Sequence, residues 1–322
     1  MGKLLIMGSL PEPIGGVSVY CKRLCEELKY RDVNFKFIDI NKSGLTKIIS
    51  SIFRVKIIHL NTSNPIFRII IVILSKLLFK KIIITFHGNV GRFNWFKNLL
   101  DYFSIVLCNT PIVINNGSYN KAVKLNSNTT LSSAFFKPRT IHTLNNSLLL
   151  KVLQLKNEST HLFCTNAFNL TFDKKGQETY QISKIIPLFH DLTDKSLVFS
   201  DPSKSYSKYL KSKNITVPNN VFIIDEPHDF NAILKVSDAF IRYTTTDGDS
   251  ISVKEALSLG KSVIASNVVS RPKEVTTVSD LNSLKTEIIN FTVKKIQLKE
   301  SNQNIEVLLK LFSQWTINIE GE

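Results

Sequence analysis

The sequence has no Cys-x-x-Cys pair. Its four cysteines, Cys21, Cys25, Cys108 and Cys164, are scattered, which excludes the usual zinc and dithiol spacings. Cys21 and Cys25 stand four apart on an amphipathic helix, and buried, reduced thiols in a cytoplasmic protein are the reading. Long apolar runs are missing too. The most hydrophobic stretch, Ile66–Phe79, is broken by Arg68 and Lys76 and is too short for a membrane span. Its place between two strands predicts a buried crossover helix. Lys3–Met7 is too short, and lacks the cleavage pattern, for a signal peptide. There is no zinc-finger, RRM or KH signature, no internal repeat and no low-complexity tract. Carboxylates are scarce in one half only. Residues 1–150 carry 6 Asp/Glu against 20 Lys/Arg, net +14, and the remainder carry 20 against 21, net +1. A basic half suits an anionic membrane surface or an anionic substrate. Nucleic acid ranks last, for want of a recognition module.

What is present describes a soluble α/β chain. Its 322 residues, 43% hydrophobic and 21% charged, leave room for two domains. Strands are expected at Lys3–Gly8, Asn34–Asp39, Lys56–Leu60, Lys81–Phe86 and Ser104–Cys108, alternating with helices. A second β/α series begins at His161–Thr165, with a helix from Gly176 to about His190. Regular alternation predicts parallel sheets. The division is placed between residues 1–150 and 151–322, within Lys137–Lys156. The last amphipathic helix, Ile305–Trp315, is expected to return to the first domain.

Two loops follow strands and carry candidate chemistry. Gly15 and Gly16 end the first strand-to-helix loop, where glycine permits close backbone approach. His87 ends the fourth strand in the run Thr85-Phe86-His87-Gly88; alone, it reads as a strand-end histidine satisfied by backbone. The most informative stretch is Arg242–Pro272. A strand enters a polar loop, a short helix follows, and Gly260 stops it. Backbone N–H groups near Ser250 and Ile251 would point from the helix start and hold a phosphate. Asp247 and Glu255 bracket that start with seven residues between them. Each has an ordinary alternative. Asp247-Gly248 is a common turn pair, and Ser252–Glu255 fits a capping box.

Together these features resemble the donor site of family 4 retaining glycosyltransferases, in the variant common among bacterial polysaccharide enzymes. Glu255-Ala256-Leu257, Gly260, Lys175-Gly176 and the acid spacing carry the resemblance. It implies the GT-B fold, two Rossmann-like domains with parallel sheets facing across a cleft, an acceptor-side domain followed by a donor domain. It implies transfer of a hexose from a nucleoside diphosphate sugar, UDP in preference to GDP, with retention. No metal and no cofactor are expected. In that family His87 would position the donor sugar and Asp247 would contact its hydroxyls. Lys175, beside Gly176 at a helix start, would stabilise the diphosphate, and Glu255 would hold the ribose. Arg242, Gly248, Ser250 and Ile251 complete the expected donor contacts, and Asp225–Asp229 would lie beside the base. Two departures stand out. Asp247 occupies the place of the usual Glu, and Asn166-Ala167 stands where the family has Gly and a diphosphate-binding Arg; Arg242 and Arg271 are the replacements to consider. A lipid-linked glycan acceptor, of lipopolysaccharide O-antigen or capsule type, suits the basic half, as does peripheral attachment to the anionic inner membrane face. The alternatives are a GT-B nucleotide-sugar epimerase and a non-catalytic nucleotide-sugar-binding relative.

Overall fold

The structure, a computed structural model, describes residues 4–11, 16–294, 296 and 303–317. The chain divides into two compact units. One comprises the described residues of Met1–Arg139 and Ser301–Glu322, the other those of Thr140–Glu300.

The first unit runs β1 (Leu4–Gly8), α1 (Gly16–Tyr30), β2 (Phe35–Asp39), α2 (Leu45–Phe53), β3 (Ile57–Asn61), α3 (Pro65–Leu77), β4 (Lys81–Phe86), α4 (Trp95–Leu107), β5 (Thr110–Val113), α5 (Asn116–Ala122) and β6 (Thr130–Leu131). Its strands form one parallel sheet in the order β2-β1-β3-β4-β5-β6. The two-residue period of a strand splits the core. Leu5 and Met7 enter one layer with α2, α3, α4 and α5; Leu4 and Ile6 enter the other with α1.

The second unit runs α6 (Asn146–Glu158), β7 (His161–Asn166), α7 (Ile182–Leu188), β8 (Lys195–Ser200), α8 (Ser205–Ser212), β9 (Val221–Ile224), α9 (Phe230–Val236), β10 (Ala239–Arg242), α10 (Ile251–Ser258), β11 (Ser262–Ser266), β12 (Thr276–Val278) and α11 (Leu281–Ile289). Its parallel sheet has the order β12-β11-β10-β7-β8-β9. The last helix, α12 (Gln303–Ile317), belongs to the first unit. Its Ile305, Leu308 and Phe312 share a core layer with Tyr20 and Leu24 of α1.

Three expectations from sequence are corrected. Ser104–Cys108 is not a strand. Asn94 caps α4 by accepting from Lys97 N at 3.0 Å, and the helix continues through Leu107 with Ile105 in the core. The strand is Thr110–Val113, disguised by Pro111, a residue that ordinarily argues against a strand interior. The helix expected from Gly176 begins only at Ile182. Asp173 draws the intervening chain into a turn, its Oδ1 accepting from Lys175 N at 2.8 Å and Gln177 N at 2.9 Å. Gly176 adopts φ 72° there, a conformation that favours glycine. Finally, the apolar crossover helix α3 is not buried all round. Its inward face includes polar Arg68 and Ser75, with Arg68 paired to buried Asp101 and donating to Thr62 O at 2.6 Å. Ile66, Ile70, Ile73 and Leu77 face outward.

Candidate functional site

In the second unit the chemistry gathers where β10 gives way to α10. The carboxylate of Asp247 is 6% exposed and lies between two guanidinium groups. Arg242, the last residue of β10, binds it with both prongs, Nε to Oδ2 at 3.2 Å and Nη2 to Oδ1 at 3.0 Å. Arg271, beyond β11, reaches Oδ2 at 2.9 Å. Gly248 N donates to Oδ1 at 3.0 Å. A carboxylate has about four lone-pair sites, so these four contacts fill it. Burial alone would raise the Asp247 carboxyl, but the two guanidinium groups override that and hold it below the ordinary range. Arg242 also lies 4.7 Å from the centre of the Tyr180 ring.

Arg271 is 3% exposed. Its Nε donates to Ser266 O at 3.2 Å, while its Nη2 is buried with no protein partner. Two cations against one carboxylate leave a local excess of positive charge beside the start of α10. Ser250 caps that helix, accepting from Val253 N at 3.4 Å. The first-turn amides of an α-helix have no intrahelical acceptor and favour an anion. Lys254 and Asp249 form an ion pair in the same turn.

The cap assignment decides the status of Glu255. Ser250, not Ser252, is the cap, so Glu255 is the fifth helical residue and cannot close a capping box. Ser252 instead accepts from Asn166 Nδ2 at 2.9 Å, tying the end of β7 to α10. Glu255 is 6% exposed and accepts from Asn231 Nδ2 of α9 at 3.3 Å. The oxygens Asn166 Oδ1 and Asn231 Oδ1 are buried without protein partners. His228, in the loop after β9, is held by Glu226 O at 2.6 Å and Ser200 Oγ at 2.8 Å.

Lys175 does not stand at a helix start, because α7 begins seven residues later. It is an exposed side chain of the Asp173 turn, with Gly176 next to it. That turn is joined to the Asp247 loop by Thr245 N donating to Thr179 O at 2.9 Å. Arg242, Asp247, Gly248, Ser250, Ile251 and Glu255 are thus brought to one strand-to-helix junction. Sequence reasoning did not single out Asn231; it named Asn166 only as a departure from the family pattern and covered His228 only within the loop Asp225–Asp229.

In the first unit His87 follows β4 and donates from Nε2 to Asn61 Oδ1 at 3.1 Å. Asn61 Nδ2 donates to His59 O at 3.4 Å, which turns Oδ1 toward His87. Nε2 therefore carries the proton and Nδ1 remains an acceptor. Tyr20 meets the ring edge-on at 4.7 Å. Behind it, His59 is wholly buried and bonded to Thr85 Oγ1 at 2.8 Å. The guanidinium of Arg92 lies over Gly88, where a Cβ would meet it at 2.1 Å, so any larger residue there would have to displace that side chain. Gly16 is the exposed first residue of α1, and Gly15 lies outside the described residues.

Both imidazoles are neutral. Burial pushes His59 down to about 3, and burial followed by the charges of His59, Arg68 and Arg92 pushes His87 down to about 3. Unfolded histidine titrates near 6.5, so stability is complete above that pH and falls as the pH drops from 6.5 toward 3. His59 alone is expected to cost about 2 kcal/mol by about pH 5. Urea midpoints followed from neutral pH down to that value would measure it, and His59→Asn would flatten the slope.

No family model matches the sequence, and no curated protein matches it. Solved structures do match. HepE of Anabaena, in complex with UDP and glucose, superposes with TM-score 0.68 at 12% identity over 100% of both chains. Sucrose-phosphate synthase of Thermosynechococcus elongatus gives 0.67 at 12% identity, over 99% of this chain and 100% of that one. An α,α-trehalose-phosphate synthase (UDP-forming) of Burkholderia xenovorans, in complex with glucose-6-phosphate, gives 0.59 at 8%, again over 99% and 100%. The fold is GT-B. At these identities the likeness extends to the fold alone. In the GT-B scaffold of this chain, the Asp247 junction lies at the carboxyl ends of parallel strands, where open α/β sheets take ligands.

Proposed function

We propose that the chain is a retaining glycosyltransferase. It moves a hexose from UDP-sugar to a lipid-linked glycan during cell-surface polysaccharide synthesis. The observation that carries this reading is the unpartnered, buried Nη2 of Arg271 beside the α10 terminus. A buried guanidinium N–H without an acceptor is costly, and a diphosphate oxygen would satisfy it. Arg242 and Arg271 thereby take the part of the missing family arginine. The UDP held by HepE and the UDP-forming activity in the name of the trehalose-phosphate synthase favour UDP here.

The site supports these roles. In transfer the bond from the anomeric carbon to the diphosphate oxygen breaks, a bond to the acceptor hydroxyl oxygen forms, and the hydroxyl proton passes to the departing diphosphate. Negative charge grows on the departing diphosphate, where Arg242, Arg271 and the amides at Ser250 and Ile251 stabilise it. Lys175 adds a mobile point charge from its turn. Glu255, beside Asn231, takes the ribose hydroxyls. Asp247 acts as a positioning residue: with its lone pairs filled, it aims the two arginines instead of gripping the sugar. No metal enters this scheme.

A thermal-shift panel of UDP, GDP and their sugars tests it. UDP is expected to raise the melting temperature, since a ligand at about 100 times its dissociation constant adds about 2.7 kcal/mol. GDP should do less. Conversion of UDP-sugar without any acceptor would point instead to an epimerase, and binding without turnover to a non-catalytic relative.

A further inference from the structure

Fourteen of the twenty-four exposed large apolar side chains among the described residues fall between Leu45 and Leu107. They are not scattered singly, as surface hydrophobics usually are, but lie in rows on three consecutive helices. α2 exposes Leu45, Ile49 and Phe53, one helical face. α3 exposes Ile66, Ile70, Ile73 and Leu77, again one face. α4 exposes Trp95, Leu99, Phe103 and Val106 at the same kind of spacing. Other faces of these helices enter a single core, through Ile48 and Ile52, Ile71 and Val72, and Ile105. The three helices therefore cover the same side of the sheet, and α3 packs directly on α4. Phe79, just past α3, is 94% exposed.

The charge on this side has one sign. From Ile40 to Leu100 the sequence contains ten Lys and Arg residues and no Asp or Glu. Lys47, Arg54, Lys76, Lys81 and Lys97 are exposed around the apolar rows. The next acid in sequence, Asp101, is buried against Arg68 and offers nothing to the surface.

We propose that the outer face of α2, α3 and α4 is a docking surface for an anionic lipid bilayer. The apolar rows enter the boundary between headgroups and acyl chains, and the lysines and Arg54 meet lipid phosphates. Trp95, 78% exposed at the start of α4, is placed as an interfacial anchor. A second copy of the chain is the poorer occupant, because pairing this face with itself sets like charge on like charge. Among the described residues no helix is long and apolar enough to cross a membrane, so attachment is to the surface. The inference rests on exposure and charge alone and does not depend on the proposed sugar transfer.

The test is sedimentation of the full chain with vesicles of phosphatidylcholine alone and with about a third phosphatidylglycerol added. The wild type is expected to sediment with the anionic vesicles, to remain in solution with the neutral ones, and to be released by high salt. Ile70→Glu combined with Phe103→Glu, both at exposed positions, should lower anionic-vesicle partitioning at least tenfold with the melting temperature unchanged. Lys76→Gln with Lys97→Gln should lower it as well, without touching the apolar rows. Wild-type protein that ignores anionic vesicles would overturn the proposal, as would an Ile70→Glu/Phe103→Glu chain that still binds them. So would a wild-type dimer, indifferent to vesicles, that the same pair of changes dissociates; the face would then join copies of the chain.

Discussion

Asp247→Asn is expected to destabilise the second unit by about 3–5 kcal/mol, the usual cost of breaking a buried ion pair from one side. The asparagine keeps the size of the side chain but removes the countercharge of Arg242 and Arg271. Both guanidinium groups are nearly enclosed, at 12% and 3% exposed, and neither can shed its proton. Arg271→Met should cost less, because Asp247 would keep its two bonds to Arg242 and its bond to Gly248. The order of urea midpoints, wild type above Arg271→Met above Asp247→Asn, is the expected result. Were Asp247 a sugar-binding carboxylate with spare lone pairs, Asp247→Asn would be the milder change for folding. The pH dependence has a matching sign. The Asp247 carboxyl is held below its ordinary value by Arg242 and Arg271 against the effect of burial. Its contribution is therefore present above the ordinary carboxylate range and lost as the pH falls through the lowered value.

Arg271→Met is expected to do its damage in turnover. Removing one preorganised donor to a developing oxyanion commonly costs about 100- to 1000-fold in rate. A loss of that size in kcat/KM for a UDP-sugar, measured at a temperature where the variant is still fully folded, is the prediction. Lys175→Ala should cost less, because its ammonium is exposed on a turn and is partly screened. Equal losses for the two would mean that Lys175 moves into a much drier position when substrate binds.

The architecture was legible because both sheets are built from short apolar strands in regular alternation with helices. It failed where a local rule misled. Pro111 hid β5, and the β-branched and apolar run after Ser104 read as strand while it was finishing α4. The Asp173 turn hid the late start of α7, since Lys174-Lys175-Gly176 looks like the entry to a helix. At the site, spacing identified Asp247 and Glu255 but not what each does. The cap fell on Ser250, two residues before the serine that the pattern Ser252–Glu255 favoured, so no capping box holds Glu255. The role of Asp247 could not be read from one dimension. It depends on Arg271, twenty-four residues on, returning to the same carboxylate at 2.9 Å. Likewise the apolar run of α3 predicts burial until Arg68 and Asp101 are seen to occupy the inside.

The central claim is that a nucleoside diphosphate binds at the amino end of α10. Calorimetric titration of UDP into the wild type and into Glu255→Gln tests it most directly. The expected result is one saturable site in the wild type and affinity at least about tenfold weaker in the variant, at an unchanged melting temperature, as for the loss of a charged hydrogen-bond partner. Absence of UDP binding to the wild type, or equal affinity in the two proteins, would contradict it.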